Sequence, residues 1–205
     1  EDPEPVVAER TSPTNIGMYL LSTVAARDFG WISLVETVER IDKTLDTVER
    51  LQQHRGHLFN WYNTRTLEVL PPRYVSSVDS GNLAGHLIAV SSALRSWSEA
   101  PAVHLLGDIR GIGDVAFILE QSLAKVADDR RTTRPLRRRL EERLAGFLQT
   151  FERHMQEPQI APVRAINLSV IATEVAALAV DLDSVVNSVE SATVIAWAKS
   201  LHATC

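Results

Sequence analysis

Between Ile32 and His54 the apolar residues Leu34, Val38, Ile41, Leu45 and Val48 recur at gaps of 4, 3, 4 and 3, the repeat that gathers side chains on one face of an α-helix. Glu36/Arg40, Glu39/Lys43 and Asp46/Arg50 pair at i, i+4 on its other faces, so this segment reads as an amphipathic surface helix. The same gaps return at Leu83, Leu87, Val90, Leu94 and Trp97, in a helix that Asp79 or Ser80 can cap and that Pro101 ends. An earlier helix covers the apolar Ile16 to Ala26, started by Thr11-Ser12-Pro13-Thr14-Asn15 and ended by Gly30. Later helices are predicted from about Asp114 to Ala127, preceded by the Gly107 to Gly113 stretch, and from Thr132-Thr133 and Pro135 to near Pro158. Two more run from Val163 to Leu182 and from about Ser184 to His202. Seven helices with almost no strand signal predict an all-α chain. Helices polar on one face alternate with helices apolar on most faces, which favours α/α hairpins, an outer ring around an inner one, over a four-helix bundle.

The chain has 205 residues, 45% hydrophobic and 23% charged, enough for one sizeable core. Its formal charge of −5 is too acidic for a general nucleic-acid binder. The single cysteine, Cys205, excludes an internal disulfide framework and a Cys-based metal cluster. No run of about 18 uncharged apolar residues is present to span a membrane. Residues 1–13, with four acids and three prolines, read as an extended arm, and 14–205 as one helical domain.

From Gly56 to Ser80 the helical period disappears and Pro71-Pro72 forbids helix. A long aromatic loop or a short β-hairpin is expected over about 56–79, and structureless stretches of that length in compact domains are often functional. A sugar presents an apolar ring face bordered by hydroxyls, so its site needs aromatic platforms beside groups that take two hydroxyls at once. Trp61, Tyr62 and Tyr74 supply the first, and Asn63, Arg73, Asp79 and Asn82 the second. The structural alternative is that the aromatics wedge the loop onto the core while Asp79 caps a helix.

Other candidates are weaker. His54 and His57 lack a third ligand for a metal, and His86 either points into a cleft or is satisfied in the interior. Glu174, in the apolar run Ile166 to Val180, is expected to be buried, as a hydrogen-bonded structural residue or as an acid with a raised pKa. The arginines between Arg130 and Arg143 read as a solvated helix start or as a contact for an anionic membrane surface. Asn167-Leu-Ser matches a glycosylation triplet, but within a helix expected to be buried it carries no meaning.

The runs from Thr11 to Ser22 and from Ala25 to Trp31, together with Arg55-Gly56-His57, Asn60-Trp61-Tyr62 and Arg73 to Leu87, closely resemble the middle region of the bacterial cyclic β-1,2-glucan synthases. The resemblance is specific over residues 9 to about 95 and is one of helical order beyond. It implies part of an (α/α) six-hairpin barrel of glucoamylase-like type, within a large inner-membrane protein whose middle region, taken as cytoplasmic, cyclises β-1,2-glucan by transglycosylation. UDP-glucose would serve another domain of that parent, and this segment would carry no cofactor.

In such barrels Thr14-Asn15 and the loop from Trp61 to Asn82 would lie at the glucan cleft, with Arg73, Tyr74 and Asp79 orienting sugars and Trp61 and Tyr62 as platforms. Retaining transfer needs two carboxylates roughly 5 Å apart. In the family these are expected in motifs resembling Trp-Ser-Gly-Ser-Met-Phe-Glu and Trp-Gly-Ile-Ser-Glu-Ser, neither of which occurs here. The sequence therefore reads as a piece cut before its catalytic acids and inactive alone. Asn63 stands where the family typically has Asp, and Glu9 where His is common, which leaves an acid role at 63 unsupported. Two alternatives stand beside this reading: a non-catalytic module packing the synthase's domains together or onto the membrane, and a small hydrolase using Asp79 and Glu174. Inner-helix surface left uncovered predicts homo-oligomerisation.

Overall fold

The computed structural model describes residues 7–100, 108–127, 132–156 and 161–205, the side chains of 161–166 excepted. The first six residues of the expected arm, the helix stops at Pro101 and Pro158, the start of the Gly107–Gly113 stretch, and Arg130 and Arg131 lie outside the described residues. Seven helices and only two-residue strands make up the described chain, which is all-α as the periodicity predicts. It divides into two units, 1–26 with 34–105, and 27–33 with 106–205.

The first unit holds β1 (Arg10–Thr11), most of α1 (Pro13–Asp28), α2 (Leu34–Arg50), β2 (Gln53–His54), β3 (His57–Leu58), β4 (Tyr62–Asn63) and α3 (Ser77–Glu99). α2 turns Thr37 and Ile41 inward, and Arg40–Glu36 and Lys43–Glu39 pair on its outside at 2.6 and 3.2 Å. Ile16, Leu20 and Val24 of α1, Ile41, Leu51, Leu58, Tyr62, Val69 and Val90 form its core.

A short hairpin forms earlier than the expected 56–79: α2 stops at Arg50, short of the expected His54, and β2 pairs with β3, His54 opposite His57. Its two turn residues, Arg55 and Gly56, have φ of 52° and 81°, the positive values a twisted two-residue hairpin turn requires. β1 lies antiparallel to β4, with Arg10 opposite Asn63 and Thr11 opposite Tyr62, so the end of the arm is a sheet edge.

The second unit begins where α1 ends. Gly30 has φ +74° and its N–H donates to the Arg27 carbonyl at 2.9 Å, and a Cβ there would stand 1.9 Å from the Asp108 carbonyl oxygen. Only glycine combines that backbone angle with that approach. α4 (Arg110–Ala124), α5 (Thr133–Gln156), α6 (Ala161–Val186) and α7 (Val189–Thr204) follow. α5 packs on α4 and α6, and α7 on α6 and α4, so these four close on themselves. Within this unit each of the four helices packs mainly on two others. Small residues explain it: Ala172 and Ala179 of α6, Ala116 of α4 and Ala198 of α7 are buried and let helices that are apolar on most faces approach two neighbours each.

The boundary between α6 and α7 lies later than Ser184. α6 runs on to Val186, Asn187 takes φ 49°, and Ser188 caps α7 in a reciprocal capping box with Ser191. Asn tolerates the left-handed conformation, and that sets the break.

Phe147 of α5 is inaccessible among Val115, Leu119 and Leu144. Phe147→Ala is expected to destabilise this unit by about 3–5 kcal/mol, through lost transfer energy and the cavity left behind, read as a lowered urea midpoint.

Candidate functional site

Apart from β4 the stretch between β3 and α3 is irregular, so most of its buried polar groups find partners outside any ladder. Asn60 provides them. It is 6% exposed, and its backbone N–H donates to the Tyr74 carbonyl at 2.9 Å. With the carboxamide turned to satisfy both ends, Nδ2 donates to Asp79 Oδ2 at 3.0 Å. Its Oδ1 then accepts from Tyr74 Oη at 2.7 Å and Trp61 Nε1 at 2.5 Å. One side chain thus ties the start of the loop, its far end and the first turn of α3.

Asp79 is held from the other side by α1. Thr14 Oγ1 donates to Asp79 Oδ1 at 2.6 Å, and Asn82 Nδ2 donates to Thr14 Oγ1 at 3.2 Å. The cap of α3 is Ser76, earlier than the expected Asp79 or Ser80: its backbone is extended and its hydroxyl accepts from the Asp79 N–H at 3.1 Å. Asp79 occupies the third helical position, where a carboxylate faces the helix's exposed N–H groups. Hydrogen bonding from Ser76, then from Thr14, holds its carboxyl below the usual aspartate range. Asp79 is therefore an anion at neutral pH with both oxygens engaged, an organiser and not an acid.

Five of the predicted site residues, Thr14, Trp61, Tyr74, Asp79 and Asn82, come together here. Tyr74 is 46% exposed, Arg73 beside it is exposed, and Asn15 is exposed in the first turn of α1. One face of Trp61 is covered by the Arg10 guanidinium, 4.8 Å from the ring centroid, a cation–π contact contributed by the arm.

Tyr62 differs from expectation. It is wholly buried in the core, its hydroxyl donating to the Gln52 carbonyl at 2.6 Å and accepting from the Phe59 N–H at 2.7 Å, and burial pushes its phenol up. It packs the loop down, as the structural alternative held, and offers no platform. Asn63 Oδ1 accepts from the N–H groups of Arg65 and Thr66 at 2.8 and 2.9 Å, closing a turn.

His86 lies on the α3 face that carries Asp79 and Asn82, its ring against Gly17 of α1, where a Cβ would stand 2.5 Å from Nδ1. Glu174 is exposed on α6 and ion-paired with Arg143, not buried, because its helical position falls between the core residues Ala172 and Val175 and on their solvent side. The hydrolase alternative loses its buried carboxyl with that. Among the described residues no group of three or more His, Cys, Asp or Glu is placed to hold a metal ion.

Asn60 and Arg10 are the residues the sequence reading passed over. Asn60 stood inside the motif beside Trp61, and a carboxamide's capacity for several partners was its one signal. Nothing in the sequence pointed from Arg10 to Trp61.

No protein-family model matches the chain. Over all 205 residues it is 57% identical to the cyclic beta-(1,2)-glucan synthase NdvB of Rhizobium meliloti (strain 1021), a match that covers 100% of this chain and 7% of that protein. The chain spans less than a tenth of its relative's length, and its likeness is that of a fragment of such a synthase. Among the described residues no helix is long and apolar enough to cross a membrane.

Because Asp79's folded-state pKa is depressed, its stabilisation is complete above the ordinary aspartate value and is lost as pH falls through the folded value. Urea midpoints measured from neutral pH into acid should show Asp79→Asn less stable than the parent at neutrality, the gap closing as the solution is acidified.

Proposed function

We infer that the chain contributes part of the wall of a glucan-binding cleft in a cyclic β-1,2-glucan synthase, in a region that cyclises its product by intramolecular transglycosylation. In that reaction a hydroxyl of the linear β-1,2-glucan replaces water as acceptor, and the carboxylates of transfer come from outside this chain. The observation that carries the reading is the Asn60-centred network, which braces an exposed Tyr74 and Arg73 beside Trp61 in a chain 57% identical throughout to such a synthase.

Chemically the surface suits a sugar. The exposed part of the Tyr74 ring offers an apolar face, and the Arg73 guanidinium offers paired donors for vicinal hydroxyls. Thr14 and Asp79 use their polar atoms within the network, so they fix the platform and leave contact with sugar to Tyr74, Arg73, Asn15, the exposed Asn82 and the uncovered face of Trp61. The chain alone would not catalyse transfer: Asp79 is a hydrogen-bonded anion and Glu174 an exposed, paired one.

A second reading, a non-catalytic module packing other parts of the synthase, is favoured by α3, where Val78 and Ile88 are 70% and 72% exposed. The two separate in calorimetric titration of the chain with linear β-1,2-glucan against a β-1,3-glucan control. Cleft wall predicts linkage-selective binding, weakened roughly tenfold by Tyr74→Ala or Arg73→Ala. A folded chain that binds neither glucan supports the packing module.

A further inference from the structure

Between Arg134 and Arg143 the chain carries five arginines and two glutamates, a net +3 in a protein whose total is −5, so the other residues carry −8. These residues belong to the first three turns of α5, whose buried side is Thr133, Leu140, Leu144 and Phe147. Glu141 and Glu142 pair with Arg137 and Arg138, each at 2.8 Å and i, i+4, and Arg143 pairs with Glu174 of α6. Arg134/Arg138 and Arg139/Arg143 have the same spacing with like charge, an arrangement that weakens a helix in water. Arg134, Arg138 and Arg139 are exposed and line an open groove of about 790 Å³ with Pro135, Arg137 and Glu142.

We propose that this arginine face of α5 is a docking surface for an anionic lipid bilayer. Charge complementarity identifies the occupant. All five cations are arginines, whose planar fork takes phosphate oxygens in pairs. The groove is lined by arginine, glutamate and proline alone, with no aromatic or aliphatic core for a partner protein to bury. A long polyanionic nucleic acid is disfavoured by the chain's net charge of −5. Basic residues near such a surface are held within a Debye length, so the contact is salt-sensitive.

The test is co-sedimentation of the full chain with phosphatidylcholine vesicles, with and without about one quarter phosphatidylglycerol, at low and high salt. An Arg134→Gln/Arg138→Gln/Arg139→Gln variant runs in parallel, checked for helicity and urea midpoint. Binding to the phosphatidylglycerol vesicles alone is expected, lost at high salt and weakened roughly a hundredfold in the variant, about fivefold per arginine. Equal binding to both vesicles, no binding, or unchanged binding by a folded variant overturns the proposal. So does displacement by millimolar inorganic phosphate at matched ionic strength, which marks a site for free anions. A single Arg139→Gln exchange gives the same reading, at about fivefold, if the triple variant fails to fold.

Discussion

The carboxamide of Asn60 is the point on which the arrangement of the first unit turns. A loop of this length has no repeating hydrogen-bond pattern, and each polar group it buries would otherwise be left without water or a partner. Asn60 gathers Trp61 and Tyr74 on its oxygen and Asp79 on its nitrogen, while its own N–H reaches the Tyr74 backbone. Two stretches fourteen residues apart in sequence are joined through one planar group, and Asp79 carries the connection on to Thr14 of α1. Replacing that group by a hydrocarbon would strand several donors and an acceptor at once, which is why an amide fits here and an aliphatic side chain of similar size would not.

The same logic explains why Asp79 is an anion and not a proton donor. Its position in the first turn of α3 already favours negative charge, and the hydroxyls of Ser76 and Thr14 add hydrogen bonds made to the charged form. A carboxyl meant to give up a proton near neutrality needs the reverse: an apolar pocket, or a second carboxylate close by. The environment of Asp79 thus fits a bracing role in the first turn of α3, where residue type had offered sugar binding or a helix cap and Ser76 is the cap.

Long-period features were legible in the sequence and short-range chemistry was less so. α2 declares itself because its apolar stripe and its Glu–Arg and Glu–Lys pairs fall on opposite sides of one helix, and period alone places both. The loop after Gly56 was legible as a break in that period, but the β2–β3 hairpin was not, because Gln53 and His54 read as the end of the helix and only the positive φ of Arg55 and Gly56 turns the chain there. The cap of α3 was misplaced by three residues because Ser76, Asp79 and Ser80 all have capping side chains, and only backbone conformation separates them. Glu174 failed for a related reason: hydropathy averaged over α6 is high on all sides, so it hides the fact that Ala172 and Val175 face inward while Thr173 and Glu174 between them do not. The closure of the second unit, with α7 against α4, depends on contacts distant in sequence that no local pattern encodes.

That division bears on how the candidate site must be probed. Side chains legible as sugar-binding by type fall into two groups once their partners are known. Thr14 bonds Asp79 and accepts from Asn82, so a change at any of them disturbs the α1–α3 contact before it reports on a ligand. Tyr74 is intermediate, its hydroxyl on Asn60 and part of its ring outside, and Arg73 is exposed. Binding energy lost at Arg73 is therefore lost from contact with ligand, while loss at Asp79 mixes contact with reorganisation of the loop. The residue that the motif makes most conspicuous is thus the less informative one to alter, and its exposed neighbour across the loop separates a glucan-contacting wall from a structural brace.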